Sequence, residues 1–295
     1  MVSDTSGPPR YASGMEDLKN LENLRQRIDE LDKKLIELLS ARANVVVEVG
    51  KFKRNTDTPI YAPHRERAVL DRVLAQNEGP LPDKTIEAIY RELMSGSFQL
   101  EKPLAIAHLA PKGSFSHIAA IRHFGSSVEC VGVPTIERVF REVAAGHCNY
   151  GLVPYENSTS GSVLDTLDAF QEHDVTIYAE ALIDIQHCLL CNGSTKEITT
   201  IASKPQVLLQ CRKWLAAMFP NVVLVETASS AEAVQLAKED IHTAAIGSEL
   251  AGREHDVEVA IENVQDRPEN ITRFLILAKE SALPCGDDKS TIMFT

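Results

Sequence analysis

The N-terminal third of the sequence carries a sparse set of charged and polar side chains: Arg25, Arg42, Lys53, Arg65, Glu66, Ser97 and Glu101. Arg42 and Lys53 are eleven residues apart, so at ~100° per residue they fall within about 20° of each other on one helix face. Arg25 lies seventeen residues before Arg42 and points elsewhere on the same helix, where it is in position to serve a site in a partner chain. Ser97 and Glu101 are an i, i+4 pair on a later helix. Arginine forks suit carboxylates. Taken singly, each of these residues reads as a solvated helix face; the group as a whole is less easily read that way.

The rest of the chain holds four polar segments at strand ends. They are Pro111–His117 (PKGSFSH), Pro154–Ser162 (PYENSTSGS), Ser203–Gln206 (SKPQ) and Asn270–Phe274 (NITRF). The Gly, hydroxyls and following helix N-terminus of the first suit an anion. The second is too polar, directly after a buried strand, to be packing material. In the fourth, Thr272 and Arg273 offer a hydroxyl and a carboxylate clamp.

These residues need elements to hold them. Residues 18 to about 53 form one long helix whose Leu24, Ile28, Leu31, Leu35 and Leu38 step in a heptad-like seam. A second helix starts at Pro63 and a third runs from Asp83 to Glu101. Three helices make no deep core from one copy, so the seam predicts a dimer. From Leu104 onward, short apolar runs alternate with helical patterns, which is α/β architecture. Arg273–Ala278 reads as a buried strand, and Ser290–Thr295 as a strand-like segment. Residues 1–17 are rich in Ser, Gly and Pro and read as a disordered tail.

Composition limits the function classes. The 295 residues carry 30 basic and 42 acidic side chains, a net charge of −12 that repels nucleic acid. The longest apolar runs fall far short of the ~20 residues that span a bilayer. The six cysteines are scattered without a signal peptide, which suits reduced thiols in the cytoplasm. Cys188 and Cys191 form a C-x-x-C pair, but in a strand their spacing sends them to opposite faces, as buried inert thiols. There is no metal-ligand spacing, G-x-G-x-x-G or P-loop.

Residues 18–102 resemble the all-helical chorismate mutase domain, through Leu24–Asp32, Arg42–Lys53, Pro59–Glu66 and Ser97–Glu101. The resemblance implies an intertwined homodimer in which Arg25 of one subunit joins Arg42, Lys53, Arg65, Glu66, Ser97 and Glu101 of the other. Rearranging chorismate requires holding a dicarboxylate in a compact conformer and stabilising charge on its ether oxygen, a role for Lys53 and Glu101. Ala62 stands where several members have Asp, and Glu101 where others have Gln. A carboxylate repels the ether oxygen, so Glu101 is expected to work protonated, with activity falling as it ionises.

Residues 103–282 resemble prephenate dehydratase. Pro111–His117, Val153–Val163, Ser203–Cys211 and the stretch from Glu262 to Phe274 match its motifs in order. Ala110 replaces the usual Gly, and Lys204 the usual His. The family resembled is thus the bifunctional chorismate mutase–prephenate dehydratase of phenylalanine synthesis, an isomerase joined to a lyase. The resemblance implies two α/β lobes like those of periplasmic binding proteins, with the site between them and no cofactor. It gives Thr272 the role of donor to the departing hydroxyl and Glu156 an assisting acid role if burial keeps it protonated. Asn157, Ser162, Gln206, Arg273 and Phe274 would bind the substrate. Residues 283–295 would be a linker and the first strand of an ACT domain. A binding module with idle catalytic groups is the alternative reading.

Overall fold

The computed structural model describes residues 11–56, 60–284, 286 and 288–292. The chain divides into two compact units, Met1–Thr58 and Pro59–Thr295.

The first unit contains one helix, α1 (Tyr11–Thr56). It starts before the expected residue 18, so residues 11–17 are helical; the rest of the expected tail, residues 1–10, lies outside the described residues. The seam residues are 51–69% exposed along Leu24, Ile28, Leu31, Leu35 and Leu38.

The second unit opens with α2 (Pro63–Leu74) and α3 (Asp83–Glu101). Pro63 sits in the first turn of α2, where its missing N–H costs nothing. Then β1 (Ala105–Leu109), α4 (Phe115–Phe124), β2 (Glu129–Val133), α5 (Ile136–Ala144), β3 (Tyr150–Asn157), β4 (Gly161–Ser162), α6 (Leu164–Glu172) and β5 (Thr176–Asp184) build a first lobe. Its sheet runs β2-β1-β3, then the last strand of the fold, then β5, with β4 hung on β3.

The chain leaves this lobe after Asp184 and makes a second one. That lobe holds β6 (Cys188–Leu190), β7 (Thr200–Ser203), α7 (Pro205–Gln210), α8 (Arg212–Met218), β8 (Val223–Glu226), α9 (Ser230–Glu239), β9 (Thr243–Gly247), α10 (Glu249–His255) and β10 (Val259–Ile261), in a sheet ordered β10-β6-β9-β7-β8. The final strand, β11 (Ile271–Ala278), returns to the first sheet between β3 and β5, antiparallel to both. The two crossing segments are tied where the Ile185 N–H donates to the Asn270 carbonyl (2.7 Å).

The local causes are ordinary. Ala105–Ala107 of β1 and Tyr150–Val153 of β3 are apolar because helices cover both faces of the sheet there. Ile136, Val139, Phe140 and Val143 face that sheet from α5, whose first turn is capped by the Thr135 hydroxyl accepting from Arg138 N–H (3.1 Å). Ser114, Ser229 and Ser248 cap α4, α9 and α10 in the same way. Cys188 and Cys191 enter separate cores on either side of the second sheet, as their spacing predicts. Residues 290–292 form no strand, and residues 293–295 lie outside the described residues.

Candidate active sites

The first group of predicted residues is shared between the two units. Arg25, Arg42 and Lys53 lie on α1; Arg65 and Glu66 lie in the first turn of α2; Ser97 and Glu101 lie at the end of α3. Arg25 is exposed, with Glu22 at 4.0 Å as a weak, solvent-screened neighbour. Arg42 and Lys53 are half-buried. Ala62 caps α2 with its backbone only, its carbonyl accepting from Arg65 N–H (3.0 Å) and Glu66 N–H (3.1 Å). Burial pushes the Glu66 carboxyl up to about 7, against a smaller opposing pull from Arg91. The Ser97 hydroxyl donates to the Leu93 carbonyl (2.7 Å). Ser97 and Glu101 are buried.

The second group gathers where β3 meets β11. Thr272 pairs with Asn157 and Arg273 with Glu156, so the two pairs point to opposite faces of the sheet. Asn157 organises its own face. Its Oδ1 accepts from the Thr159 and Ser160 backbone N–H groups (2.9 and 3.0 Å), which only an oxygen can do. Its Nδ2 therefore faces the other way and donates to Thr272 Oγ1 (2.8 Å) and Asn270 Oδ1 (2.8 Å). Thr272 is 7% exposed. With an Oγ1 lone pair occupied by Asn157, its hydroxyl hydrogen is left to point elsewhere. Thr272 is thus a held hydroxyl whose hydrogen is not taken up by Asn157. Asn270 belongs to this cluster although no role was predicted for it; its place in the NITRF motif, two residues before Thr272, was the available signal.

Two expectations are corrected here, and the face of Arg273 is fixed. Phe274 is 2% exposed and packs in the core of the first lobe, so it offers no surface to a substrate. Glu156 is not buried: its side chain is 52% exposed, with Arg273 Nη1 at 3.8 Å. Arg273 does not share a face with Thr272; its Nε holds Glu180 at 2.9 Å, and Glu180 also binds Lys289. Burial works to raise the Glu180 carboxyl, but Lys289 and Arg273 outweigh it and hold it below the usual range.

Other predicted motif residues support the lobes. Gly113 has φ +78°, its N–H donates to His117 Nδ1 (3.0 Å), and its carbonyl accepts from Ser248 Oγ of the second lobe (2.6 Å). Gln206 is exposed on the first turn of α7, after Lys204, and Ser162 is exposed on β4. Gln210 Oε1 accepts from His187 Nε2 (2.8 Å), and the Asp266 carboxylate caps α8 through Lys213 N–H and Trp214 N–H (3.0 and 2.9 Å). One groove between the lobes is lined by Phe115, Asp184, Gln186, Ser248 and Arg253 among others; the predicted site residues lie outside this groove. Among the described residues no helix is long and apolar enough to cross a membrane, and no group of three His, Cys, Asp or Glu is placed to hold a metal ion.

Both groups fall within segments that match known families. The family described as chorismate mutase type II matches residues 24–102, and that described as prephenate dehydratase matches residues 106–282. A bifunctional chorismate mutase/prephenate dehydratase of Pseudomonas aeruginosa is 43% identical over 286 residues, covering 95% of this chain and 78% of that protein. One from Aquifex aeolicus is 37% identical, over 94% of this chain and 78% of its own length. Among solved structures, the prephenate dehydratase from Arthrobacter aurescens in complex with L-Phe aligns with a TM-score of 0.57 at 29% identity, over 61% of this chain and 62% of that one.

Proposed function

Because the chain belongs to the family of bifunctional chorismate mutase/prephenate dehydratases, an enzyme that rearranges chorismate to prephenate and converts prephenate to phenylpyruvate in phenylalanine biosynthesis, we propose the following roles for its residues. In the mutase half, Arg25, Arg42 and Arg65 grip the two substrate carboxylates, and Glu66 and Ser97 accept from substrate donors. Lys53 donates to the ether oxygen as its bond breaks, with Glu101 acting at the same oxygen. No covalent intermediate or proton transfer is needed, so the rate comes from selecting a compact conformer and stabilising developing charge.

In the dehydratase half, Thr272 donates to the departing hydroxyl. The C–O bond electrons leave with that oxygen, which takes up a proton and becomes water. The electrons of the breaking bond to carbon dioxide enter the ring and make it aromatic. Asn157 aims Thr272, while Ser162 and Gln206 line the cleft from the two lobes. Arg273, with Glu156 and Glu180, holds the end of β11 from the other face. The observation that carries this reading is the 2.8 Å bond from Asn157 Nδ2 to Thr272 Oγ1.

The enzyme acts as a cytoplasmic homodimer joined through α1. The exposed leucine seam of that helix supports the dimer. The free cysteines among the described residues suit a reducing compartment.

The test is a time course on chorismate that quantifies prephenate and phenylpyruvate. The unaltered chain should form both in sequence. Thr272→Ala should accumulate prephenate, and Arg65→Ala should leave chorismate untouched yet still convert added prephenate. Full phenylpyruvate production by Thr272→Ala would remove Thr272 from the reaction.

A further inference from the structure

Tyr61 stands one residue before the backbone cap of α2 and is completely enclosed, at 0% exposure. Its ring lies 5.0 Å from Phe124, 5.3 Å from Tyr150, 5.8 Å from Tyr178 and 6.0 Å from Phe98, and its carbonyl accepts from the Tyr178 hydroxyl (2.8 Å). Its hydroxyl meets Nε2 of His123, near the end of α4. Burial, assisted by Arg91, lowers His123 to about 4, and burial lifts Tyr61 well above its usual range. Both are neutral at physiological pH, so the phenol donates and the imidazole accepts. A second strut lies beside this one: Arg91 of α3 donates through Nη1 to the Arg122 carbonyl of α4 (2.6 Å).

We infer that α4 of the first lobe is a positioning element of the mutase reaction: His123 and the Arg122 carbonyl, acting through Tyr61 and Arg91, fix the start of α2 and with it Arg65 and Glu66. The inference rests on the reading that Arg65 and Glu66 contact chorismate. Tyr61 stands just before the turn that carries both residues, the Arg91 charge acts on Glu66 within that turn, and Phe98 in the same aromatic cluster is the neighbour of Ser97. Charged and titratable groups reach Glu66 from each packed element: Arg91 from α3, Tyr61 from the segment before α2, and Tyr150 from β3. The mutase half therefore borrows its rigidity from the dehydratase lobe.

The test uses the full chain and assays each reaction separately. His123→Leu, which cannot accept the phenol proton, should lower mutase kcat/KM about tenfold. Conversion of added prephenate should stay within about twofold of the unaltered rate. As water reaches the loosened turn, the inflection that Glu66 gives the mutase profile near pH 7 should move to lower pH. His123→Gln, which keeps an acceptor, should restore most of the mutase rate. Tyr61→Phe serves the same purpose if His123→Leu does not fold. Arg65→Ala is the control: if it keeps mutase activity, the underlying reading fails, not this one. With that control met, an unchanged mutase rate and profile, equal losses in both reactions, or no rescue by glutamine would each overturn the inference.

Discussion

Asn157 decides where the Thr272 hydroxyl can send its proton. Two backbone N–H groups fix its Oδ1, so its amide nitrogen has to face Thr272. Asn157→Asp keeps the turn but puts an acceptor where the donor was. The Thr272 hydroxyl would then donate to the new carboxylate oxygen instead of to the leaving group. Dehydratase kcat is expected to fall about a hundredfold, the scale of losing one aligned donor. The KM for prephenate should change much less, because substrate contacts are otherwise intact. Equal changes in kcat and KM, measured by steady-state kinetics on prephenate, would argue that Asn157 only binds. Both residues were legible in the sequence as motif positions. Their bond was not, because it depends on the register of two strands separated by more than a hundred residues. The face that Arg273 takes has a simpler cause. The strand begins at Ile271 and not at Arg273, so Thr272 already obeys the period of two, and Arg273 turns to the opposite face.

At the scale of elements, the loop before α4 brings the two lobes close together. Gly113 has φ +78°, and a Cβ there would lie 2.6 Å from Ala251 Cα in α10. Gly113→Ala meets two costs: roughly 1–2 kcal/mol for the left-handed backbone, and a shift of α10 away from the loop. The Ser248 bond to the Gly113 carbonyl sits in the path of that shift. The variant should melt several degrees lower and lose dehydratase activity about fivefold or more, while Ser248→Ala, which removes one bond, should lose less. Thermal unfolding and prephenate turnover check both; a Gly113→Ala chain with unaltered melting would show that the lobes do not need this approach. The α/β alternation, the helix starts at Pro63 and Asp83 and the opposed cysteines were all readable from local patterns. The lodging of α2 and α3 in the first lobe was not. Tyr61 and Phe98 have no periodic mark that sets them apart from a dimer face, and their partners Tyr150 and Tyr178 are distant in the chain.

At the scale of the whole molecule, the exposed seam of α1 and the position of Arg25 make one joint claim. If α1 pairs with a second copy, and Arg25 completes the partner's site, then neither subunit holds a whole mutase site of its own. Arg25→Ala and Arg65→Ala chains should each be inactive as mutases when pure. Mixed in equal amounts under conditions that let dimers exchange, half of the dimers become mixed. In a mixed dimer, one site has the intact Arg65 of the first chain and the intact Arg25 of the second; the other site lacks both. About one quarter of the unaltered mutase activity should then reappear. If Arg25 served its own chain, one site would lack Arg25 and the other Arg65, and mixing would recover nothing. Dehydratase activity should be indifferent to the mixing, because Thr272, Asn157 and Asn270 all come from one chain. A recovery near a quarter for one reaction, beside a constant rate for the other, separates the shared site from the site that each chain builds alone.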